Sequence, residues 1–535
     1  MSRRPVKTTE EFRMNGSEAM VHTLLNHGVS VCFANPGTSE MHFVSALDRL
    51  PQMRCILGLF EGVVTGAADG YYRMTRQPAA TLLHLGSGLG NGLANLHNAK
   101  RARSGILNII GEHAQDHIAN DAPLTSDIQA IARPVSHWVR TCASAATAAA
   151  DTAAAVHAAS GAPGKVASLI LPANAAWEPS AGGAVRPQRA RPAPSPAASV
   201  VDAIAQALRT PDVRPEEIAL LLGGRAMLGE GPRLASQIAA RVGCQLLAET
   251  KNARSQRGAG HVNIPQIPYP LNGALQALSG VRLLILVDAV APVAFFGYPD
   301  KPRFLTHPDC RIETLATAEE DAMTALAALN DAVGGRADQM VLVGSGARDQ
   351  PWDEQARPNS QDMGRVMAAL LPDHAIVVDE AITTGRQLQT GAAAGLAHDW
   401  LEITGGAIGY GLPCAVGAAV ACPDRKVVAV IGDGSAMYTL QSLWTMAREG
   451  LDITVIICAN RKYQILQGEL SAMGGPPPAA NATRMLTLDA PCLDWVKLAE
   501  GQGLSATRVA TMAGFATSLA AGLASGAPNL IEVLI

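Results

Sequence analysis

The stretch KVVAVIGDGSAMYTLQSLWTMAREGLDITVIICAN, Lys426 to Asn460, allows few folds. Two β-like runs, KVVAVI and ITVIICAN, flank one helical stretch, QSLWTMARE. Near-continuous aliphatic runs read as strands buried on both faces, joined by a crossover helix in a parallel sheet. Each strand ends in a polar residue: Asp433 follows the first and Asn460 closes the second, 27 positions on (433 to 460). Ligands of a parallel sheet bind beyond the carboxyl ends of its strands, so both residues point into that crevice.

The same alternation runs through all 535 residues. VCFANP, CILGLF, AATLLHL and GILNIIG read as strands near the start, and IALLLGG, QLLAET and RLLILVD near the middle. AIVVDE, KVVAVIGDG, ITVIICAN and NLIEVLI follow near the end. Proline-rich EPSAGGAVRPQRARPAPSPAA and the segment from about 334 to 360 break the pattern. The cuts leave three α/β pieces, 14–180, 195–335 and 358–535, each expected to be a doubly wound parallel sheet. With 48% hydrophobic and 16% charged residues, a large core forms and disorder is excluded. A net charge of −4 gives no electrostatic case for nucleic acid. No apolar run is long enough for a membrane span, and the basic N-terminus lacks the apolar core of a signal peptide. Nine cysteines without C-x-x-C spacing read as reduced thiols of a cytoplasmic protein.

A carboxylate with an amide oxygen is hard-oxygen chemistry, suited to Mg²⁺ or Ca²⁺ rather than zinc. Gly432 and Gly434 let backbone approach a phosphate, and a helix after GDGSA offers its first amides to an anion. An Asp-Gly pair alone is an ordinary turn. The flanking strand, the helix and the second strand ending in Asn favour the ion. In CILGLFEGVVTGAADGYYRM one carboxylate, Glu61, stands inside an apolar run. It either opens a helix, favoured by the dipole, or serves as a general acid. Gly86, Gly88, Gly90 and Gly92 miss the G-x-G-x-x-G spacing at Asn91. His113 and His117 follow a strand and face either a pocket or solvent.

The GDG-to-Asn stretch resembles the cofactor motif of thiamine diphosphate (ThDP) enzymes. The resemblance extends over nearly the whole chain, as a pyrimidine-type, a central and a diphosphate-type domain. It implies that Asp433 and Asn460 bind Mg²⁺, with the backbone carbonyl of Lys462 as a third ligand. Ala459 stands where the family often has the first of two asparagines. Thr383, Gly434, Ser435 and Tyr463 are implied to contact the cofactor. Gly406 would meet the aminopyrimidine and Ile408 would support the bent cofactor. Glu61 sits where the family's glutamate bonds ring nitrogen N1′. Thr38, in NPGTSEMHF, and His84, in LLHLGSGLGNGLANLHNA, fall where benzoylformate decarboxylase has a substrate-contacting serine and a catalytic histidine.

That decarboxylase carries a second histidine in its central domain. Here the similar stretch, APVAFFGYPDKP, has Gly297 at the place. The implied function is decarboxylation of a small 2-oxo acid, with carboligation as a further outcome. Acetolactate synthase-like acyl transfer and a non-catalytic ThDP-fold protein are the alternatives. FAD in the central domain is not expected, because LLLGGRAMLGEG is a generic turn. The resemblance also implies a homodimer or homotetramer with active sites at the chain interface.

Overall fold

The computed structural model describes residues 14–535 apart from 181–182, 188–191, 210–211, 345–349 and 474–476. Parts of both expected linkers, and the N-terminal segment, therefore lie outside the described residues. Three parallel-dominated sheets organise the rest. The first holds β1 (Val31–Asn35), β2 (Arg54–Leu57), β3 (Ala79–Leu83), β4 (Ile106–Glu112), β5 (Trp138–Thr141) and β6 (Val166–Pro172). The central one holds β7 (Ile218–Leu222), β8 (Gln245–Ala248), β10 (Leu283–Val287) and β11 (Arg311–Ala316), with β9 (Ser255–Arg257) leaving it. The third holds β12 (Ala375–Glu380), β13 (His398–Glu402), β14 (Val427–Gly432), β15 (Ile453–Ala459), β16 (Ser505–Val509) and β17 (Asn529–Leu534). Among the described residues, no helix is long and apolar enough to cross a membrane.

Strand order fixes where ligands bind. The sheets run β2-β1-β3-β4-β6-β5, β11-β10-β7-β8 and β16-β17-β15-β14-β12-β13-β9. In each, the chain first winds one way and then returns to wind the other. The reversals fall between β1 and β3, β7 and β10, and β12 and β14. Such switch points open a crevice at the strands' carboxyl ends. The strands at these reversals are apolar on both faces, which is why they sit centrally.

Not among the expected strands are β5, β6, β9, β11, β13 and β16. β9 departs most: it belongs to the segment read as central, yet pairs antiparallel with β13 and closes the edge of the third sheet. Charged pairing holds it there, because Arg254 binds Asp399 of β13 at 2.7 Å.

The first and third sheets lock together through their helices. Helix Glu61–Thr75 lies against helix Gly411–Ala421 with backbone meeting backbone. A Cβ on Gly417 would stand 1.9 Å from the Ala67 carbonyl oxygen, and one on Gly70 would stand 2.2 Å from that of Cys414. Buried Arg73 pairs with Asp69 at 2.8 Å and donates to the Tyr410 hydroxyl at 2.7 Å. Asn95 donates to the carbonyls of Gly62 at 2.8 Å and Gly409 at 3.0 Å.

Candidate functional site

A cavity of about 790 Å³ opens at the switch point of the third sheet. Asp433, Gly434 and Ser435 line it after β14, and Asn460, Lys462 and Tyr463 after β15. Thr383 reaches it from the turn after β12, and Gly406 and Ile408 from the segment after β13. The structure thus brings together all nine residues expected to hold a cofactor or metal. One detail differs from the expected single helix after GDGSA. A short turn, Asp433–Ala436, comes first, and the longer helix begins at Ser442.

Local backbone explains the convergence. Asp433 accepts from the amides of Gly434 at 2.9 Å and Arg461 at 2.7 Å. Asn460 Oδ1 accepts from the Lys462 amide at 3.1 Å. Arg461 lies in the left-handed region at φ +58°, and so does Ile382 at φ +52°. A β-branched residue is costly there, and such strain gathers at functional turns. Gly406, at φ +76°, has the freedom its turn requires.

The donor set fits a divalent cation. Asp433 is 3% exposed and has no ion pair among the described residues. Burial raises its carboxyl above the ordinary carboxylate range, opposed by the Arg461 and Gly434 amides. A bound cation would relieve that burial, and one carboxylate with an amide oxygen leaves positions open for phosphate oxygens.

The catalytic candidates gather elsewhere, at the switch point of the first sheet. Glu61 opens its helix, is 5% exposed and accepts from Asn91 Nδ2 at 2.9 Å. His84 follows β3 and directs Nδ1 to Glu40 Oε2 at 2.8 Å. The other ring nitrogen has no partner among the described residues. Glu40 is itself held by the Gly37 amide at 2.7 Å and the Ser39 hydroxyl at 3.0 Å. Gly88 lies between the two candidates: a Cβ there would stand 2.7 Å from Glu61 Oε1 and 3.3 Å from His84 Cβ. Thr38 opens the turn Thr38–Glu40 beyond β1. His113 and His117 stack edge-to-face, 5.6 Å apart, beyond β4.

Neither Glu61, His84, Thr38 nor any other first-sheet residue is among those lining the large cavity. Within one chain, the cavity and the Glu61–His84 cluster are therefore distinct. Glu40 and Asn91 escaped the sequence reading, although NPGTSE places an acid within one turn of Thr38.

The central segment contributes a wall. Phe295 and Phe296 line the cavity, and their rings meet edge-to-face at 5.2 Å. Tyr269 packs on Phe295 at 5.1 Å. Gly297, where the resembled decarboxylase would have histidine, has open space beside it. Tyr298 donates to Glu469 on helix Gln464–Ala472. The switch point of the central sheet is filled by protein. The Asp288 carboxylate accepts from the Arg225 amide at 2.7 Å and pairs with Arg103.

Two family models match the chain: thiamine pyrophosphate enzyme, N-terminal TPP binding domain, over residues 14–132, and its C-terminal TPP binding domain, over 390–533. A Mycobacterium tuberculosis protein, provisionally named acetolactate synthase large subunit IlvX, is 47% identical over 525 residues, covering 98% of this chain and 99% of its own. The chain belongs to the ThDP-dependent enzyme family. Within that family, benzoylformate decarboxylase of Pseudomonas aeruginosa is 27% identical, over 96% of this chain and 98% of its own. Among solved structures, the ThDP-dependent 4-hydroxybenzoylformate decarboxylase of Rhodococcus jostii RHA1 superposes with a TM-score of 0.81. It is 25% identical and covers 97% of this chain and 99% of its own. The three-sheet architecture is thus the family's fold, and the ThDP enzyme has its large cavity on the third sheet.

Proposed function

We propose that this ThDP enzyme decarboxylates a small 2-oxo acid, with Mg²⁺, at a site completed by a second copy of the chain. One observation carries the reading. The cavity with Asp433 and Asn460 takes no lining residue from the first sheet, while Glu61 and His84 converge on a separate face. Each half lacks what the other supplies, and a two-fold pairing of chains would join them reciprocally. The three-piece division at 14–180, 195–335 and 358–535 belongs to the same proposal. It is supported by one sheet in each piece, with β9 crossing over.

Asp433, Asn460 and the Lys462 carbonyl would hold Mg²⁺, and Gly434, Ser435 and Thr383 the diphosphate beside it. Gly406, Ile408 and Tyr463 would line the rest of the cofactor's length. Bound ThDP supplies the nucleophilic carbon and the electron sink for losing CO₂. Glu61 would hold a proton at the cofactor's ring nitrogen N1′, kept in place by Asn91. Glu40 fixes the His84 ring, so that its free nitrogen can give or take a proton at substrate. Thr38 would orient substrate beside it. Phe295 and Phe296 would give the cavity an apolar wall.

Acyl transfer to a second 2-oxo acid is favoured by one observation: Gly297 brings no second histidine to deliver a proton. Incubation of the protein with ThDP, Mg²⁺ and 2-oxo acids of graded size separates the outcomes. CO₂ with aldehyde supports decarboxylation, CO₂ with a hydroxyketone supports transfer, and no CO₂ from any acid contradicts both.

A further inference from the structure

The cofactor reading leaves several polar residues of the cavity without a role. Helix Gly385–Ala392 faces the central segment 263–270, and Arg386, Gln389 and Thr390 line the space from one side of the helix. Arg257 and Asn263 line it from the other.

Three of these groups, Arg386, Arg257 and Gln389, have spare donor capacity. The Arg386 guanidinium lies over the Tyr269 ring, 5.2 Å from its centroid, with no hydrogen bond or ion pair among the described residues. The carboxylate that bears on it, Glu469, is held by Tyr298. Arg257 donates to Ser255 Oγ at 3.3 Å and has no ion pair among the described residues. The two carboxylates that act on it are engaged elsewhere. Glu402 binds Lys251 at 2.8 Å and Gln266, and Asp379 accepts from the Ala381 amide at 2.9 Å. Gln389 is 9% exposed, and its Nε2 has no hydrogen-bond partner among the described residues. Leaving such a group buried and unpaired is destabilising.

Two guanidinium groups and an amide donor line the same cavity, and N–H donors of this kind recognise planar carboxylates. We propose that Arg257, Arg386 and Gln389 form a subsite for a carboxylate remote from the reacting carbonyl. The preferred substrate would then be a 2-oxo acid with a second carboxylate at its far end. This inference rests on the cavity being the ThDP site. A separate small carboxylate, bound beside the substrate, would use the same chemistry.

Calorimetry on the full chain loaded with ThDP and Mg²⁺ tests it, with glutarate and valerate as unreactive probes of equal chain length. Glutarate should bind at least about tenfold tighter, and Arg386→Gln should reduce that preference to about threefold or less while leaving ThDP affinity unchanged. Gln389→Ala should reduce it in the same direction. Equal affinities in the wild type would overturn the subsite, and so would a preference that survives Arg386→Gln. Loss of ThDP in Arg386→Gln would assign that arginine to the cofactor and overturn it too. In turnover, a raised KM for 2-oxoglutarate but not 2-oxovalerate in Arg386→Gln, at unchanged kcat, places the carboxylate on the substrate. Glutarate that stimulates 2-oxovalerate turnover in the wild type, but not in the variant, places it on a separate molecule. If the protein takes up no ThDP, the cofactor reading fails, and the same glutarate-to-valerate ratio in cofactor-free protein still decides the subsite.

Discussion

Glu61→Gln should separate chemistry from folding. Glutamine matches the glutamate in size, and its amide oxygen can still accept from Asn91, now 2.9 Å away. The one charge-assisted hydrogen bond becomes neutral, a loss of about 1 kcal/mol. Fold, melting temperature and ThDP affinity should therefore change little. The chemical loss is larger, because glutamine cannot hold and release a proton at the cofactor's ring nitrogen. A positioned acid–base group contributes about 10²–10⁴-fold, or roughly 3–5 kcal/mol. Three assays on the same preparation give the comparison: ThDP binding by calorimetry, exchange of the cofactor's C2 proton by NMR, and CO₂ release. Binding should persist while exchange and turnover both fall. Turnover within about threefold of wild type, well inside the usual acid–base effect, would refute the reasoning and return Glu61 to a helix-opening role.

Asp433→Ala should abolish cofactor retention, since it removes the only charged group expected on Mg²⁺; calorimetry showing unchanged ThDP affinity would remove the metal role. His84→Ala should lower decarboxylation by more than about tenfold with ThDP still bound, measured as CO₂ release against calorimetry. Gly417→Ala forces a Cβ to 1.9 Å from the Ala67 carbonyl oxygen, so it should destabilise the chain by about 3 kcal/mol or more, read as a lowered melting temperature or insoluble protein. Burial pushes the Glu380 carboxyl up to about 7 against its bonds to the Gly411, Tyr410 and Gly409 amides. Its folded value thus exceeds its unfolded value of 4.5, so its stabilisation is complete below that value and is lost as pH rises towards 7. The melting temperature of cofactor-free protein should fall over that window, and Glu380→Gln should flatten the fall.

Most strands legible in the sequence share one property, burial on both faces; β2 and β8, partly exposed, were legible from short apolar runs alone. β1, β3, β4, β7, β10, β12, β14, β15 and β17 are plain apolar runs, and periodicity finds them without tertiary information. β5, β11 and β16 alternate apolar with Arg, Glu or Thr and lie on sheet edges, where polar residues guard unpaired backbone. β13 (HDWLE) owes its place to Arg254 and Arg425, which meet Asp399 at 2.7 and 2.6 Å. No local pattern foretells such pairs. β6 (VASLILP) carries as plain a signal as β4, and no physical reason hides it.

The cofactor end of the site was legible because its ligands follow strand ends at fixed spacing. Glu40, Asn91, Arg386 and Gln389 were not, since each acquires meaning only from a partner distant in sequence. Glu40 matters through His84, 44 positions away, and Asn91 through Glu61, 30 positions away. Phe295 and Phe296 drew no reading from the sequence, yet each is 52% exposed and lines the cavity.

The central claim is that Glu61 of one chain works with Asp433 of another. Chains carrying Glu61→Gln alone and Asp433→Ala alone should each be inactive. Coexpressed, a mixed dimer would hold one site with both defects and one with neither. Activity should reappear, at up to about half the wild-type value per mixed dimer, because the pairing is reciprocal. If mixed dimers confirmed by mass spectrometry stay inactive, each site is built within one chain and the claim fails.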